Sequence, residues 1–545
     1  MITSFRILAV SVGILVAAFA VSGLVFPSLA RRAFDFLSRL GQRFESRCFY
    51  LPFCFGCFLI FLMLGLLLTQ SGSGISPDST GYIVTGKNIF LGNGFYAAGG
   101  LPYVAQPPLY PLTIAALMHI GFGAEQAARL VPILCFALLM FPIFSLGRTI
   151  GGFLTGYMAC LLCLIFYPLL LVTSFAWTEM IYIFISVLSI LFLVKFGKGN
   201  GAGTKILCVA GLFTALAILT KYLGITLLVV GLIVIALKNR SRLKRTIYQA
   251  LLFGSISVVP ILPWLYRNVT LTGSPTGSRA ESTIGLLANA KATIGATLGD
   301  FVPLDYVTAL TTSVALFVIF TVCVKLYSTD RKILSKYPVG NYILILYIVV
   351  YLVALVIMRS LWHFDSIGTR LTCPAYPFLI LVVTSFVLYA SSRIEVAPLR
   401  ATLFSAIAIV GIFFLFSQAP SLVGFYGLAS QGMGYNSPHW RNEEGIAWAA
   451  SNAPDSVVIY SDRADAVEFR LNRLCRYLPY SGDEKGIEEF FEELSGQEGA
   501  VIICFKEDWR RSYLLSNDEI ADKNQAYNLL VAVADFPEST IWCMR

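Results

Sequence analysis

The 545 residues are 57% hydrophobic and only 13% charged, more apolar than a water-soluble core of this length requires. The net charge of +9 is no nucleic-acid footprint, because residues 417–545 carry 11 Lys and Arg against 20 Asp and Glu, net −9, leaving 29 against 11, net +18, upstream. The upstream excess sits in short loops such as Arg31, Arg32, Arg39, Arg43 and Arg47, or Lys238, Arg240, Arg242, Lys244 and Arg245, the signature of cytoplasmic turns between membrane spans.

In chain order, the first apolar run is Ile7 to Phe26, with one Arg before it and the basic cluster after it, so it reads as a retained helix with its N-terminus outside. Tyr50 to Thr69 then crosses outward. Between Gln70 and Ala128 lies an external loop with structure of its own. Ser76 can cap a helix, Pro77 suits its first position, and Tyr82, Ile83, Ile89 and Phe90 recur at helical spacing up to Gly92. A second short helix follows the prolines of "AQPPLYPLTIAALMHIGFG"; Leu109 to Ile120 reaches only about 18 Å, too little to cross. Both helices are expected at the membrane interface.

Further spans are expected at Leu130 to Leu146, Phe153 to Leu171, Met180 to Val194, Ile206 to Thr220, Leu223 to Leu237, Tyr248 to Trp264, Val307 to Tyr327, Tyr342 to Met358, Cys373 to Tyr389 and Leu403 to Phe416. The pattern predicts a polytopic α-helical membrane protein of about twelve spans. The expected division is an extra helix and basic loop over 1–48, a transmembrane domain over 49–417 and an extracytoplasmic domain over 418–545. That last part alternates helix-like "NEEGIAWAASNAP" and "EKGIEEFFEELSG" with strand-like "SVVIYSD" and "AVIICF", a small α/β domain. Of the twelve cysteines, Cys54 and Cys57 form a C-x-x-C inside a spanning run with no second pair, so they read as small hydrophobes. Cys475, Cys504 and Cys543 could supply one disulfide outside the cytoplasm.

Carboxylates are scarce upstream of the tail, which singles out Asp78 and Glu179 at outer membrane ends, where a charge needs a reason. Asp78 also stands in the first turn of its helix, where the macrodipole favours an anion, and Glu179 can equally start a helix or pair with a cation. Lys221 lies between two short apolar runs, Lys87 can snorkel, and Arg267 and Arg370 mark other outer boundaries. The three histidines, His119, His363 and His439, are too dispersed for a metal site, and no Gly-rich phosphate loop follows a strand.

The order of "PDSTGY", "QPPLYP", "TE", "LTKYLG", "PWLYRN" and "TRLTCPAYPF" resembles the GT-C membrane glycosyltransferases, in the branch of the protein O-mannosyltransferases and the lipid A aminoarabinose transferases. The resemblance spans Tyr50 to Tyr389 and leaves the acidic tail unexplained. It implies transfer of a sugar, with inversion, from a polyprenyl-phosphate donor to an acceptor hydroxyl on a lipid, polysaccharide or protein at the outer face of the inner membrane. Asp78 matches the family's acidic residue in the first external loop and would orient and deprotonate the acceptor. Lys221, Arg370, Arg267 and Lys87 are then candidates for the donor phosphate, with Glu179, Tyr82 and Gln106 as substrate contacts. Gln106 stands where the aminoarabinose branch has a Lys before its paired prolines, so one phosphate contact is absent or replaced. The D-x-D pattern of metal-dependent oligosaccharyltransferases is absent as well, and no catalytic metal or cofactor is expected. Three other readings remain, the first an oligosaccharyltransferase or polymerase on the same scaffold, which would want a metal and lose activity to chelators. A transporter would use Asp78, Glu179 and Lys221 as a relay, and a non-catalytic scaffold would be indifferent to Asp78.

Overall fold

The computed structural model describes residues 47–199, 203–301, 338–393, 418, 421–506 and 511–545. The expected spans Ile7 to Phe26, Val307 to Tyr327 and Leu403 to Phe416 lie outside the described residues. Within them, seven helices are long and apolar enough to cross a membrane, in Tyr50–Leu68, Ala124–Gly151, Glu179–Lys198, Gly203–Thr220, Leu243–Thr272, Val339–Leu361 and Thr369–Ala390. This is an integral membrane protein.

Four expected spans differ in detail. Leu130 to Leu146 is part of the longer Ala124–Gly151 and Tyr248 to Trp264 of the longer Leu243–Thr272, while Leu223 to Leu237 falls in the shorter apolar stretch Tyr222–Lys238. Phe153 to Leu171 is two helices, Phe153–Ile165 and Tyr167–Ser174, bent by 59°. The break falls at Phe166, whose backbone is extended, one residue before a helix whose second position is Pro168. A proline has no N–H to give to the preceding turn, so it opens a helix where it cannot continue one.

The described chain divides into two compact units, one holding the residues up to Leu68, Pro132–Ser174 and Thr178–Gly427, the other Thr69–Val131, Phe175–Trp177 and Leu428–Arg545. The tail expected as a domain of its own therefore shares its unit with the external loop. In the first unit, Glu179–Lys198 is the most enclosed candidate span. Its buried residues run round the whole helix, from Met180, Ile181 and Tyr182 to Val194 and Phe196, as a helix surrounded by others requires.

The second unit holds the helices Pro77–Phe90 and Leu109–His119, and a five-stranded sheet in the order β2-β1-β3-β5-β4. Its strands are β1 Val458–Ser461, β2 Cys475–Tyr477, β3 Ala500–Phe505, β4 Leu530–Asp535 and β5 Ser539–Met544. β1 pairs in parallel with β2 and β3, aligning Ile459 with Cys475 and with Val501; β5 is antiparallel to β3 and β4. Every residue of β3 is buried, as its unbroken apolar run demands. The acidic helix Glu484–Ser495 turns Ile487, Phe490, Phe491 and Leu494 inward onto Tyr460, Ile502 and Ile520, and its carboxylates take the solvent side. Much of the tail's negative charge is thus the wet face of an amphipathic helix. Cys475, Cys504 and Cys543 are free thiols in this structure.

Candidate functional site

Asp78 lies in the second unit. Ser76 is extended and caps Pro77–Phe90: its Oγ accepts from the Ser79 N–H while the Ser79 hydroxyl accepts from the Ser76 N–H. Pro77 fills the first helical position and half-buried Asp78 follows it, where its charge is favoured by the helix dipole. A second donor reaches the cap, since the Trp177 indole N–H donates to Ser76 Oγ at 2.8 Å. Trp177 is stacked on Phe175 at 4.0 Å and 14°. Gly74 pairs with Phe175 and Ile75 with Gly434 in isolated parallel bridges, so the residues leading into the cap are held from two sides.

The other candidates of this unit are placed as follows. Tyr82 is buried, 5.1 Å from the Tyr110 ring and 6.4 Å from that of Tyr103, and serves as a packing residue of the two loop helices. Gln106 is half-buried beside Pro107. Lys87 donates to Asn472 Oδ1 at 2.7 Å, so its ammonium is engaged by the tail.

Three candidates of the first unit meet at one atom. Glu179 begins the enclosed helix, fully buried, and its Oε1 accepts from Lys221 Nζ at 2.7 Å and Arg370 Nε at 2.8 Å. Lys221 reaches it because the chain turns sharply through Tyr222–Gly224. A Cβ on Gly224 would fall 2.5 Å from the Ile218 nitrogen, so only glycine allows the turn. Arg370 also donates to Asp365 Oδ2 at 3.1 Å. Among the described residues Glu179 Oε2 has no hydrogen-bond partner, an open demand in a buried site for a donor. Arg267 stands over the Trp264 ring at 4.8 Å, and the Trp264 indole donates to the hydroxyl of Tyr222, the residue after Lys221, at 3.1 Å.

Two residues that sequence reasoning left aside complete this cluster. Asp300, on the helix Leu286–Phe301, accepts from Thr369 Oγ1 at 2.8 Å and Tyr376 OH at 2.5 Å, and so ties the start of the short helix Thr369–Thr372, which carries Arg370, to the first residue of the helix Tyr376–Arg393. Burial raises the Asp300 carboxyl above its ordinary value, against those two hydrogen bonds. Arg359, buried at the end of Val339–Leu361, donates to Ser282 Oγ at 2.8 Å and to the Asp365 carbonyl at 3.2 Å. With Lys221 and Arg370 it makes three cations beside the carboxylates of Glu179, Asp365 and Asp300, so the cluster is balanced in formal charge and its cations are held in place by their partners. The visible signal was a lone Arg closing an apolar run, "VIMRSL". Among the described residues, no group of three His, Cys, Asp or Glu could hold a metal ion.

Residues 105–266 match the family described as dolichyl-phosphate-mannose-protein mannosyltransferase, a stretch that includes Glu179 and Lys221. Comparison with curated protein sequences finds no match. Among solved structures, the chain is similar to ArnT from Cupriavidus metallidurans bound to undecaprenyl phosphate, at 12% identity over 91% of this chain and 98% of that one, TM-score 0.60. It is similar to the apo state of the same protein at 14% identity over 90% and 98%, TM-score 0.58. An oligosaccharyltransferase of Archaeoglobus fulgidus in complex with Zn and sulfate matches at 13% identity over 82% and 67%, TM-score 0.51. The chain has the fold of the GT-C membrane glycosyltransferases and, over 105–266, the sequence pattern of a mannosyltransferase family, which is the resemblance its motifs carry.

Proposed function

We propose that this protein is an inverting glycosyltransferase that moves a sugar from a polyprenyl-phosphate donor to an acceptor hydroxyl at the outer face of the membrane. The observation that carries the reading is the convergence of Lys221 and Arg370, 149 residues apart in sequence, on one oxygen of buried Glu179. Cations held in place before the substrate arrives stabilise a leaving phosphate without reorganising during the reaction. The likeness to an ArnT bound to undecaprenyl phosphate supports a lipid phosphate as that leaving group.

In this reaction the acceptor oxygen attacks the anomeric carbon from the face opposite the phosphate. The new C–O bond forms as the bond to phosphate breaks, the acceptor proton passes to Asp78, and the lipid phosphate departs with the bonding electrons. Asp78 acts as base and positioner of the acceptor; Lys221 and Arg370, backed by Arg359 and Arg267, meet the phosphate charge. Glu179 keeps the two cations soluble in a buried site, and its free Oε2 can accept from a sugar hydroxyl. Pro77–Phe90 and Leu109–His119 form the interfacial platform of the external loop.

The test is transfer of radiolabelled sugar from a panel of polyprenyl-phosphate sugars to a native membrane extract by the purified protein and by Asp78→Asn, each with and without EDTA. Transfer that survives EDTA and disappears in Asp78→Asn supports the reading. Consumption of no donor, or an Asp78→Asn variant as active as wild type, overturns it.

A further inference from the structure

We infer that the C-terminal domain positions Asp78, through one face of the helix Ala464–Leu471 and the Tyr435 hydroxyl. The inference rests on the reading of Asp78 as the acceptor base. Three residues of that helix and its cap, Asp465, Glu468 and Asn472, are spaced three and four apart and so share one face. Each holds a different point of the external loop or of the chain paired with it.

Asp465, 1% exposed, accepts from Tyr435 OH at 2.8 Å and from Arg511 at 2.7 Å on the same oxygen, Oδ2. Tyr435 in turn donates its N–H to the Ile75 carbonyl at 2.8 Å, and the Ile75 N–H donates to the Met433 carbonyl at 3.2 Å. Ile75 is the residue before the Ser76 cap, and Asp78 is three residues on. Glu468 Oε2 accepts from the Gly99 N–H at 2.8 Å, beyond the end of the Asp78 helix. Asn472 accepts from Lys87 in its last turn. The helix bearing Asp78 is thereby gripped before its start, in its last turn and in the loop that follows it.

The grip at Ile75 tolerates nothing larger than glycine opposite it. Gly434 has φ +59°, and a Cβ there would lie 1.9 Å from the Ile75 carbonyl oxygen. A carbonyl this closely covered is a designed approach of two backbones, since a side chain would push them apart. Asp465 is the anchor that makes the approach rigid: a fully buried carboxylate with a charge-assisted partner in Arg511 does not move cheaply. Tyr435, itself 5% exposed and packed on Trp440 at 4.9 Å, transmits that fixity to Ile75. It touches no reacting atom, so it is a positioning residue.

Two variants of the full chain test this, Tyr435→Phe, which removes one oxygen and keeps the ring, and Gly434→Ala. The readouts are hydrogen exchange over 73–80 and transfer kinetics with the donor found active. Faster exchange over 73–80 is expected in both, with kcat lowered about tenfold in Tyr435→Phe, since small misplacements of a catalytic group are costly, with donor KM unchanged, and with the melting midpoint lowered more in Gly434→Ala, where a Cβ meets the Ile75 carbonyl, than in Tyr435→Phe. Exchange identical to wild type in both variants overturns the inference. So does faster exchange with full kcat, because the grip would then be structural alone. If the wild type transfers no sugar, the catalytic reading of Asp78 falls instead, and the exchange data still decide whether the domain holds the helix.

Discussion

Removing the charge of Glu179 should destabilise this protein more than removing the charge of Glu179 and Lys221 together. Glu179 is 0% exposed and its partners 12% and 18%, so solvent screens little of the interaction. In Glu179→Gln, two ammonium-like groups crowd a neutral amide oxygen; loss of one partner from a buried pair costs about 3–5 kcal/mol. In Lys221→Met, Arg370 still neutralises the carboxylate, and the loss is that of one charge-assisted hydrogen bond, about 1.5–3 kcal/mol. The double variant leaves Arg370 with Asp365 and no second cation, so the two effects oppose each other; the predicted order requires a coupling larger than the cost of Lys221→Met, about 1.5–3 kcal/mol, at the upper end of the roughly 0.5–3 kcal/mol found for groups in contact. Thermal unfolding in detergent gives the order: wild type highest, Glu179→Gln lowest, and the double variant above Glu179→Gln. A double variant that melts lowest of all, by the sum of the single shifts, would refute the reasoning.

Asp300→Asn removes the charge that grips Thr369 and Tyr376; the Arg370 segment loosens, and about a tenfold drop in kcat/KM, worth about 1.4 kcal/mol, should appear as a raised KM for the donor, measured by initial rates. An unchanged donor KM would count against a role for Asp300 in holding Arg370. The C-terminal domain should lose stability as pH rises. Burial pushes the Glu468 carboxyl up to about 7 and the Asp462 carboxyl up to about 6, against ordinary values of 4.5 and 3.8. Both groups hold a proton more tightly folded than unfolded. Their contribution is therefore fully present below pH ~4, and is lost as pH climbs through 6 and 7, by about 3 kcal/mol for each at 1.36 kcal/mol per pKa unit. Lys87 and Asp465 are the other charges that act on Glu468. Melting curves from pH 4.5 to 8 should fall, and Glu468→Gln should flatten the fall above pH 6; an identical slope in Glu468→Gln would show that another group titrates.

What the sequence made legible was local. Ser76 and Pro77 announce a helix start by residue type, and the cap is there, although its second half is Ser79, whose short hydroxyl is not the usual Glu or Gln of a capping box. "SVVIYSD", "AVIICF" and the acidic helix appear as β1, β3 and Glu484–Ser495, because burial period is written in consecutive residues. Partners across long separations are not. Nothing near Glu179 in the chain shows that Lys221 and Arg370, 42 and 191 residues away, share its oxygen. Lys87 looked like a free interfacial cation because Asn472 lies 385 residues on. The bend at Phe166 hid inside an unbroken apolar run, since hydropathy counts side chains and the break is made by a backbone nitrogen that lacks a hydrogen. β4 and β5 went unread for other reasons: "LVAVAD" is an apolar run that lies mostly exposed, and "STIWCM" is short and mixed, without alternation.

The order of the sheet carries a consequence for biosynthesis. β5, Ser539–Met544, is the last strand made, yet it lies inside the sheet between β3 and β4. Until it is translated, β3 has an open edge, and the helix that bears Asp78 has no finished domain to rest on. At roughly 5–20 residues per second, the ribosome needs roughly 20–90 s to travel from the external loop to β5. Through that interval the loop that carries Asp78 lacks its finished support. Removal of β5 alone should therefore loosen the helix that bears Asp78 from a distant part of the sequence, while every residue around Asp78 stays intact.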